Sequence, residues 1–202
     1  MAKLQYIHGT MDAAKTSLLL MSQHAYEDKG RKTFILKPCT DVRGLDKPIE
    51  HMHFGPIVSR LIKGDTQALY LEPGHWRDAE DLIKDAWAVY VDEVQFCSTE
   101  DIWWLSDLVD NKNIPVMAYG LKTTSDGKLF EGSAALLAIA DEMEERRSVC
   151  SFCGKRANMH VCTSGQGGAI GSAGCEGNGV TYKSVCRRCF KKFQNGEIKI
   201  TD

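Results

Sequence analysis

The chain has 202 residues, of which 43% are hydrophobic and 26% are charged, and its formal net charge is -2 at pH 7. This length and composition predict one globular domain, or a core domain with a small appendage, and the absence of a basic excess argues against a dedicated nucleic-acid-binding protein. The apolar runs are too short to span a membrane, and residues 1–9 lack the apolar core of a signal peptide, so a cytoplasmic location is expected.

The first predicted elements are an apolar strand that ends near Ile7, a loop, and a helix over residues 17–29. The loop fits the P-loop pattern G-x-x-x-x-G-K-[ST] at every fixed position except Ala14, which stands where the second glycine belongs. In such a loop the backbone N–H groups and the lysine bind phosphates, and the hydroxyl that follows ligates Mg²⁺. The predicted ATP-binding loop comprises Gly9, Thr10, Met11, Asp12, Ala13, Ala14, Lys15 and Thr16. Taken alone, the motif leaves an ordinary strand-to-helix turn as an equal alternative.

Strands and helices alternate along the next part of the chain. Strands are predicted over residues 32–37, 68–71, 87–91 and 114–118, and helices over residues 77–85, 98–109 and 134–147. Residues 39–63 have no hydrophobic period and predict a long loop. The alternation is typical of a parallel α/β sheet, in which ligands bind beyond the carboxyl ends of the strands.

Asp92 and Glu93 follow the most continuously apolar strand of the chain. An aspartate at such a strand end, downstream of a P-loop, is typical of a Walker B site, so Asp92 is predicted to bind Mg²⁺ in the same cleft as Lys15 and Thr16. Transfer of a phosphoryl group to a hydroxyl also needs a base for the leaving proton, and Glu93 is predicted to supply it. The alternative for Glu93 is a solvated carboxylate at the end of a strand.

Four of the eight cysteines form two C-x-x-C pairs, Cys150 with Cys153 and Cys186 with Cys189. Two such pairs complete a tetrahedral thiolate site, so structural zinc is predicted, with four buried unpaired cysteines as the alternative. The remaining cysteines and one nearby histidine lack the paired spacing: His160, Cys162 and Cys175 could compete as ligands, and Cys39 and Cys97 are predicted to be small buried residues. The glycine-rich residues 164–179 form a low-complexity loop between the two pairs.

Three further features have simpler interpretations. Trp103 and Trp104 are predicted to be core or subunit-contact residues, His51 and His53 to be solvated, and the basic residues 187–192 to lie on the surface beside the metal site.

Several stretches, taken in this order and spacing, resemble the cytosolic-type (type II) thymidine kinase family, and most of all its bacterial and bacteriophage branch. They are the P-loop with Met11, residues 92–96, 115–121, 127–133 and 182–187, and the four paired cysteines. The resemblance covers nearly the whole chain. It implies a RecA-like P-loop α/β sheet over residues 1–147 and a small zinc-binding domain over residues 148–202, whose glycine-rich loop closes as a lasso over the nucleoside.

The same resemblance implies a thymidine kinase that transfers the ATP γ-phosphoryl group to the 5′-hydroxyl of thymidine, or of a related pyrimidine nucleoside, in DNA precursor salvage. Glu93 would be the catalytic base. The cofactors would be ATP, Mg²⁺ and structural Zn²⁺. The assembly would be a homotetramer or homodimer without nucleic-acid or membrane partners. Besides the P-loop, the implied ATP-binding residues are Asp92, Glu93, Val94, Gln95 and Arg60, with Asp41, Arg43 and Ser59 near the phosphates. The implied nucleoside-binding residues are Met11, Phe96, Leu121, Phe130 and Tyr182.

The sequence departs from the family pattern at both substrate sites. The departures are Ala14 in the P-loop and Lys122, Thr124 and Ser125, which follow the predicted strand over residues 114–118. These departures keep open a catalytically impaired or specificity-altered relative that acts as a nucleotide-binding or regulatory protein, and a kinase for another pyrimidine nucleoside. A zinc-ribbon ATPase that works on nucleic acid is disfavoured by the negative net charge.

Overall fold

The computed structural model describes residues 1–41, 51–57, 59, 62, 66–163 and 181–198. Seven strands of these residues form the main sheet: β1 (Leu4–Gly9), β2 (Thr33–Pro38), β3 (Met52–Pro56), β4 (Gln67–Leu71), β5 (Ala88–Val91), β6 (Val116–Gly120) and β7 (Glu142–Arg146). Their order is β3-β4-β2-β5-β6-β1-β7, and every neighbouring pair is parallel except β3 with β4. The predicted α/β class with a mainly parallel sheet is therefore confirmed.

Four helices pack around this sheet in the described residues: α1 (Lys15–Glu27), α2 (Glu80–Ile83), α3 (Thr99–Lys112) and α4 (Glu131–Ile139). The central strand β5 is buried along its whole length, and its side chains alternate between the two faces. Val89 and Val91 belong to the apolar cluster that contains Trp104 of α3, whereas Tyr90 belongs to the cluster that contains Leu19 of α1. The sheet is thus covered on both faces, which leaves its carboxyl edge as the place for a ligand.

Helix α3 begins at Thr99, within one residue of the predicted start, and its N-cap is Ser98 with a capping box. The Ser98 hydroxyl accepts from the Asp101 N–H, and the Asp101 carboxylate accepts from the Ser98 N–H. Trp104 is buried in the core as predicted, while Trp103 on the same helix is 56% exposed.

The prediction of a helix over residues 134–147 is wrong in its second half. Helix α4 ends at Ile139, and Glu142–Arg146 form the edge strand β7 beside β1. Asp141 fixes this change of direction because its N–H donates to the Leu4 carbonyl and its carboxylate accepts from the Leu4 N–H. An exposed edge strand tolerates charged residues and gains protection from unwanted pairing, so β7 lacks the apolar pattern of the central strands.

The predicted loop over residues 39–63 also contains an element that the sequence pattern does not reveal. Strand β3 pairs with β4 from Met52–Leu71 to Pro56–Gln67. Its side chains are mostly exposed, so it lacks the alternating apolar pattern that identifies a strand. The predicted helix over residues 77–85 is a 3₁₀ turn, Trp76–Ala79, continued by α2.

The C-terminal residues form small elements around their own apolar cluster. These are β8 (Ser148–Val149), β9 (Arg156–Ala157), β10 (Met159–Cys162), β11 (Tyr182–Val185) and α5 (Arg187–Gln194). Val161 and Val185 pack with Cys150 and Cys189 in a cluster that also includes Ala157. Among the residues that the structure describes, none of the helices has the length and apolar character needed to cross a bilayer.

Candidate active site and metal centre

The P-loop lies at the carboxyl edge of the sheet, between β1 and α1. Helix α1 begins at Lys15, whose Nζ donates to the Thr10 carbonyl at 2.9 Å. The Thr16 Oγ1 donates to the Asp92 carboxylate, at 3.2 Å from one oxygen and 3.3 Å from the other. The structure therefore brings together the two residues that the sequence predicts as Mg²⁺ ligands, although they are 76 positions apart in the chain.

Ala14, which stands where the P-loop pattern has glycine, has a backbone conformation that favours glycine. Its φ is 56° and its ψ is 28°, which is the left-handed region. Glycine adopts that region without steric cost, whereas an L-residue with a Cβ pays about 1–2 kcal/mol there. Ala14 therefore holds, at a steric cost, a conformation that glycine would adopt freely.

Glu93 is held in a buried position by its neighbour Gln95. The Gln95 Nε2 donates to Glu93 Oε2 at 2.6 Å, and the Gln95 Oε1 accepts from the Leu121 N–H at 2.9 Å. Glu93 is 9% exposed and has a φ of 54°, another left-handed residue without the freedom of glycine. Gly120 makes the arrangement possible, because a Cβ there would lie 2.6 Å from Gln95 Oε1. The carboxylate is therefore fixed from the end of β5 and from the end of β6 together.

The predicted nucleoside-binding residues lie in two groups, one beside the ends of β5 and β6 and the other where the P-loop contacts β11. Phe96 and Phe130 contact edge to face, with ring centroids 5.6 Å apart, next to the segment that Gln95 ties to Leu121. On the other side, the Met11 carbonyl accepts from the Ser184 hydroxyl at 2.7 Å. Ser184 lies on β11, the strand that begins with Tyr182, so the P-loop is hydrogen-bonded directly to the C-terminal part of the chain.

Lys37 is a residue of this edge that the sequence analysis missed. It is 1% exposed at the end of β2, and its Nζ lies 2.8 Å from the carboxylate of Asp41. Burial by itself lowers the pKa of Lys37, but the attraction of Asp92 and Asp41 outweighs it and holds the pKa above its usual value. A lysine inside the apolar strand Thr33–Pro38 was the available signal, because a fully buried lysine needs a paired carboxylate. Lys37 links Asp41 electrostatically to the Mg²⁺ ligand predicted at Asp92.

Other predicted residues fall partly outside the described chain. Arg43 and Arg60, the glycine-rich residues 164–179 and Cys175 all lie outside the residues that the structure describes. The Ser59 hydroxyl lies 2.9 Å from that of Ser17 on α1, which brings it to the P-loop helix.

Thr124 and Ser125, the two departures after β6, belong to a tight turn. The Thr124 N–H donates to the Lys128 carbonyl at 2.8 Å, and the Lys128 N–H donates to the Thr124 hydroxyl at 3.1 Å. Ser125 is 7% exposed. Thr124 is thus used to close the turn, and the small side chain of Ser125 is the one placed in the interior.

The four paired cysteines form one cluster in which all four Sγ atoms lie within 4.8 Å of one another. The Sγ atoms of Cys153 and Cys186 are 3.7 Å apart, and a tetrahedron with Zn–S bonds of about 2.3 Å has edges of about 3.8 Å. Burial raises the pKa of the Cys150 thiol, but backbone N–H groups, including that of Cys186, outweigh it and lower the pKa to about 7. The donor set and its spacing fit structural zinc, as predicted.

The competing ligands do not join this cluster within the described residues. His160 and Cys162 lie on β10 outside it. Burial, followed by the nearby charge of Lys15, lowers the pKa of His160 to about 4. Cys97 is buried as predicted, whereas Cys39 is only partly buried.

Comparison with known proteins decides between the possible families. The family model described as thymidine kinase matches residues 2–190, a span that contains the P-loop, Asp92, Glu93 and all four clustered cysteines. The chain belongs to the thymidine kinase family. It is 40% identical to the thymidine kinase of Enterobacteria phage T4 over 196 residues, which cover 93% of this chain and 95% of the relative. It is 36% identical to that of Ruegeria pomeroyi over 200 residues, 95% of each chain, and 38% identical to that of Xanthomonas oryzae over 206 residues, 99% of this chain and 94% of the relative.

Members of the thymidine kinase family are nucleoside kinases, which are phosphotransferases. The site described above corresponds to that class of enzyme. The resemblance drawn from the sequence motifs is therefore confirmed. What the motifs could not supply are the contacts that join them, above all the Lys37 pairing with Asp41 and the Ser184 bond to Met11.

The replacement Ala14→Gly is expected to raise the free energy of unfolding by about 0.5–1 kcal/mol. Relief of the left-handed strain contributes about 1–2 kcal/mol, and the greater entropy of glycine in the unfolded chain offsets part of it. Urea unfolding of the zinc-loaded protein measures the difference. Ala13→Gly is the matched control: Ala13 is buried and is not among the residues with positive φ, so glycine there should only destabilise. Equal losses in both variants would show that Ala14 is not strained.

Proposed function

We propose that this protein is a thymidine kinase that transfers the γ-phosphoryl group of ATP to the 5′-hydroxyl of thymidine. Beyond family membership, one observation supports the proposal: the buried Glu93 carboxylate accepts a hydrogen bond from Gln95. Glu93 directly follows Asp92, whose carboxylate accepts a hydrogen bond from the Thr16 hydroxyl. A base and a metal-binding pair at the end of one strand are what phosphoryl transfer to a hydroxyl needs.

In this proposal the P-loop holds the triphosphate. The N–H groups at the start of α1 face the phosphates, and Lys15 exchanges the Thr10 carbonyl for a β- or γ-phosphate oxygen. Thr16 and Asp92 would hold Mg²⁺, which neutralises the charge that develops on the transferred group. Lys37 would hold the Asp41 carboxylate in place, because its buried ammonium group lies 2.8 Å from it and is attracted by Asp92 as well.

Glu93 receives the proton of the 5′-hydroxyl as the hydroxyl oxygen bonds to the γ-phosphorus. The bond from that phosphorus to the β,γ-bridging oxygen breaks in the same step, and ADP leaves. Glu93 has a left-handed backbone conformation, and the hydrogen bond from Gln95 Nε2 to its Oε2 restrains the side chain. Backbone strain of this kind persists only where the surroundings enforce it, and it concentrates at functional sites.

The nucleoside base is proposed to lie between the aromatic pair and the C-terminal part of the chain. Phe96, Leu121 and Phe130 offer an apolar wall from the sheet side, and Met11 and Tyr182 close it from the other. Arg60 is proposed to contact the phosphates and the glycine-rich loop to cover the nucleoside, both from outside the described residues.

The proposed function divides the chain into two domains. We assign residues 1–147 to the nucleotide-binding kinase core and residues 148–202 to the zinc-binding domain, whose cysteine cluster supports β10 and β11. A homotetramer or homodimer is proposed for the assembly. The exposed Trp103, Trp87 and Met21 offer apolar surface that subunit contacts would cover.

The test is a phosphate-transfer assay with Mg-ATP against thymidine, deoxyuridine and deoxycytidine, with the product identified by mass. Thymidine monophosphate is expected as the main product. The Lys15→Ala variant, expressed in a host without its own thymidine kinase and purified in the same way, gives the background. A preference for another pyrimidine nucleoside would move the assignment to a specificity-altered kinase, consistent with Thr124 and Ser125. Absence of product from all three, with ATP still bound, would refute the proposal and favour a non-catalytic nucleotide-binding protein.

A further inference from the structure

Three side chains that the proposed reaction does not use meet at the far end of the sheet's carboxyl edge. They are His51, just before β3, and His75 and Asp78, in the segment after β4. One donor atom from each lies within 4.8 Å of the other two. The His51 Nε2 is 3.2 Å from Asp78 Oδ2, and the His75 Nδ1 is 3.9 Å from the same oxygen.

Backbone hydrogen bonds connect these residues into one unit. The Glu72 N–H donates to the His51 carbonyl at 2.9 Å, the His75 N–H to the Glu72 carbonyl at 3.0 Å, and the Asp78 N–H to the His75 carbonyl at 3.1 Å. His51 has a φ of 62°, a left-handed conformation that this pairing maintains. Main-chain bonds thus fix the backbone positions from which the three donor side chains extend.

The core fixes the same segment from behind. The buried carboxylate of Asp101 accepts from the Gly74 N–H at 2.9 and 3.1 Å and from the Trp76 N–H at 3.4 Å, on both sides of His75. Trp76 itself is fully buried in the main apolar cluster. A site on rigid, pinned backbone is the kind that retains a ligand geometry without the ligand.

We propose that His51, His75 and Asp78 form a second metal site, distinct from the four-cysteine cluster, that binds a divalent first-row transition ion such as Zn²⁺ or Ni²⁺. Two imidazoles and one carboxylate suit these ions. Bonds of about 2.0–2.2 Å to each donor place neighbouring donors about 3–3.6 Å apart, so the observed 3.2 and 3.9 Å need only a small contraction.

The surroundings of His51 also select the nitrogen that would bind. Its Nε2 faces Asp78, whereas its Nδ1 lies 3.7 Å from the Glu72 carboxylate. A metal-bound histidine commonly directs its other ring N–H to a carboxylate, which orients the ring and raises its basicity. The three side chains are about half exposed, so water completes the coordination and the ion exchanges readily.

The test uses untagged full-length protein whose cysteine cluster has first been saturated with one equivalent of zinc. Titration with Ni²⁺ followed by calorimetry should show one further site, and the melting temperature should rise with Ni²⁺ concentration. His75→Gln and Asp78→Asn should each weaken Ni²⁺ binding at least ~10-fold, since replacing even a residue that only hydrogen-bonds to a metal ligand lowers metal affinity by that much. His53→Gln is the matched control, because His53 is an exposed histidine of β3 outside the cluster, and it should bind Ni²⁺ like the unaltered protein.

A cobalt spectrum identifies the donors. A second Co²⁺ ion held by imidazole and carboxylate gives weak d–d bands without the intense thiolate-to-metal absorption of a cysteine site. Thiolate absorption from the second ion, an unchanged affinity in His75→Gln, or no binding beyond the first equivalent of zinc would each overturn the proposal and leave the three residues as an exposed ion-pair cluster.

Discussion

Replacing Glu93 by glutamine is expected to lower kcat for nucleoside phosphorylation by about 10²- to 10⁴-fold while ATP binding is retained, which is the usual contribution of a general base. Glutamine keeps the size of the side chain and can still pair with Gln95, so the buried contacts at the end of β5 survive. What it cannot do is accept a proton. The loss should therefore fall on kcat and on kcat/KM alike, as it does when an interaction made only in the transition state is removed.

The matched control for this variant is Glu100→Gln, in the exposed first turn of α3. It removes the same charge seven positions further along the chain and should leave kcat within about twofold, because surface changes of this kind have small effects. Unchanged melting temperature and ATP affinity in Glu93→Gln would separate a chemical defect from a folding defect. A Glu93→Gln enzyme with normal turnover would remove Glu93 from the role of base.

The residues of this site could be predicted because phosphate chemistry constrains short segments. The P-loop and the Asp92-Glu93 pair each need a few residue types at the end of an apolar strand, and parallel topology brings strand ends together. The four cysteines were equally predictable, since two C-x-x-C pairs are the spacing typical of a tetrahedral zinc site.

The parts that escaped prediction depend on contacts between distant segments. The sequence does not show what a lysine at position 37 pairs with. Only the fold shows that its ammonium group lies beside Asp41 and within the electrostatic influence of Asp92. His51 is exposed to solvent as predicted, but nothing local indicates that it lies beside Asp78, 27 positions away. Propensity favoured a helix in Glu142–Arg146, but hydrogen bonding to β1 outweighed it.

Ala14 and Glu93 illustrate how strain is distributed in this site. Both are non-glycine residues in the left-handed region, with φ values of 56° and 54°. At Ala14 a glycine would serve the same backbone path, so the strain has no chemical use that the structure reveals. At Glu93 the side chain is the chemical group, and glycine would relieve the strain at the loss of the carboxylate. A glycine is thus expected to stabilise the protein at the first position, whereas at the second it would relieve the strain but abolish the activity.

Loss of zinc is expected to unfold the C-terminal part of the chain while the main sheet stays folded. The apolar cluster there is small, and two of its buried members, Cys150 and Cys189, are themselves proposed zinc ligands. Structural zinc supplies about 10–16 kcal/mol of apparent binding energy in comparable peptides, far more than such a cluster provides. Cys186→Ser tests this sharply: Cys186 caps α5 by accepting from the Cys189 N–H, and serine can keep that cap while it loses the metal ligand.

The measurement is zinc content by native mass spectrometry together with hydrogen exchange resolved by segment. In Cys186→Ser, or after strong chelation, the amides of β11 and α5 should lose their protection, whereas those of β1 and β5 should keep theirs. Cys162→Ser is the control, since Cys162 lies outside the cluster and should retain one zinc and full protection. Because Ser184 on β11 bonds to the Met11 carbonyl, activity should be lost with the zinc although the P-loop itself is folded. A zinc-free protein with intact protection over residues 181–198 would show that the cysteines are not a structural metal site.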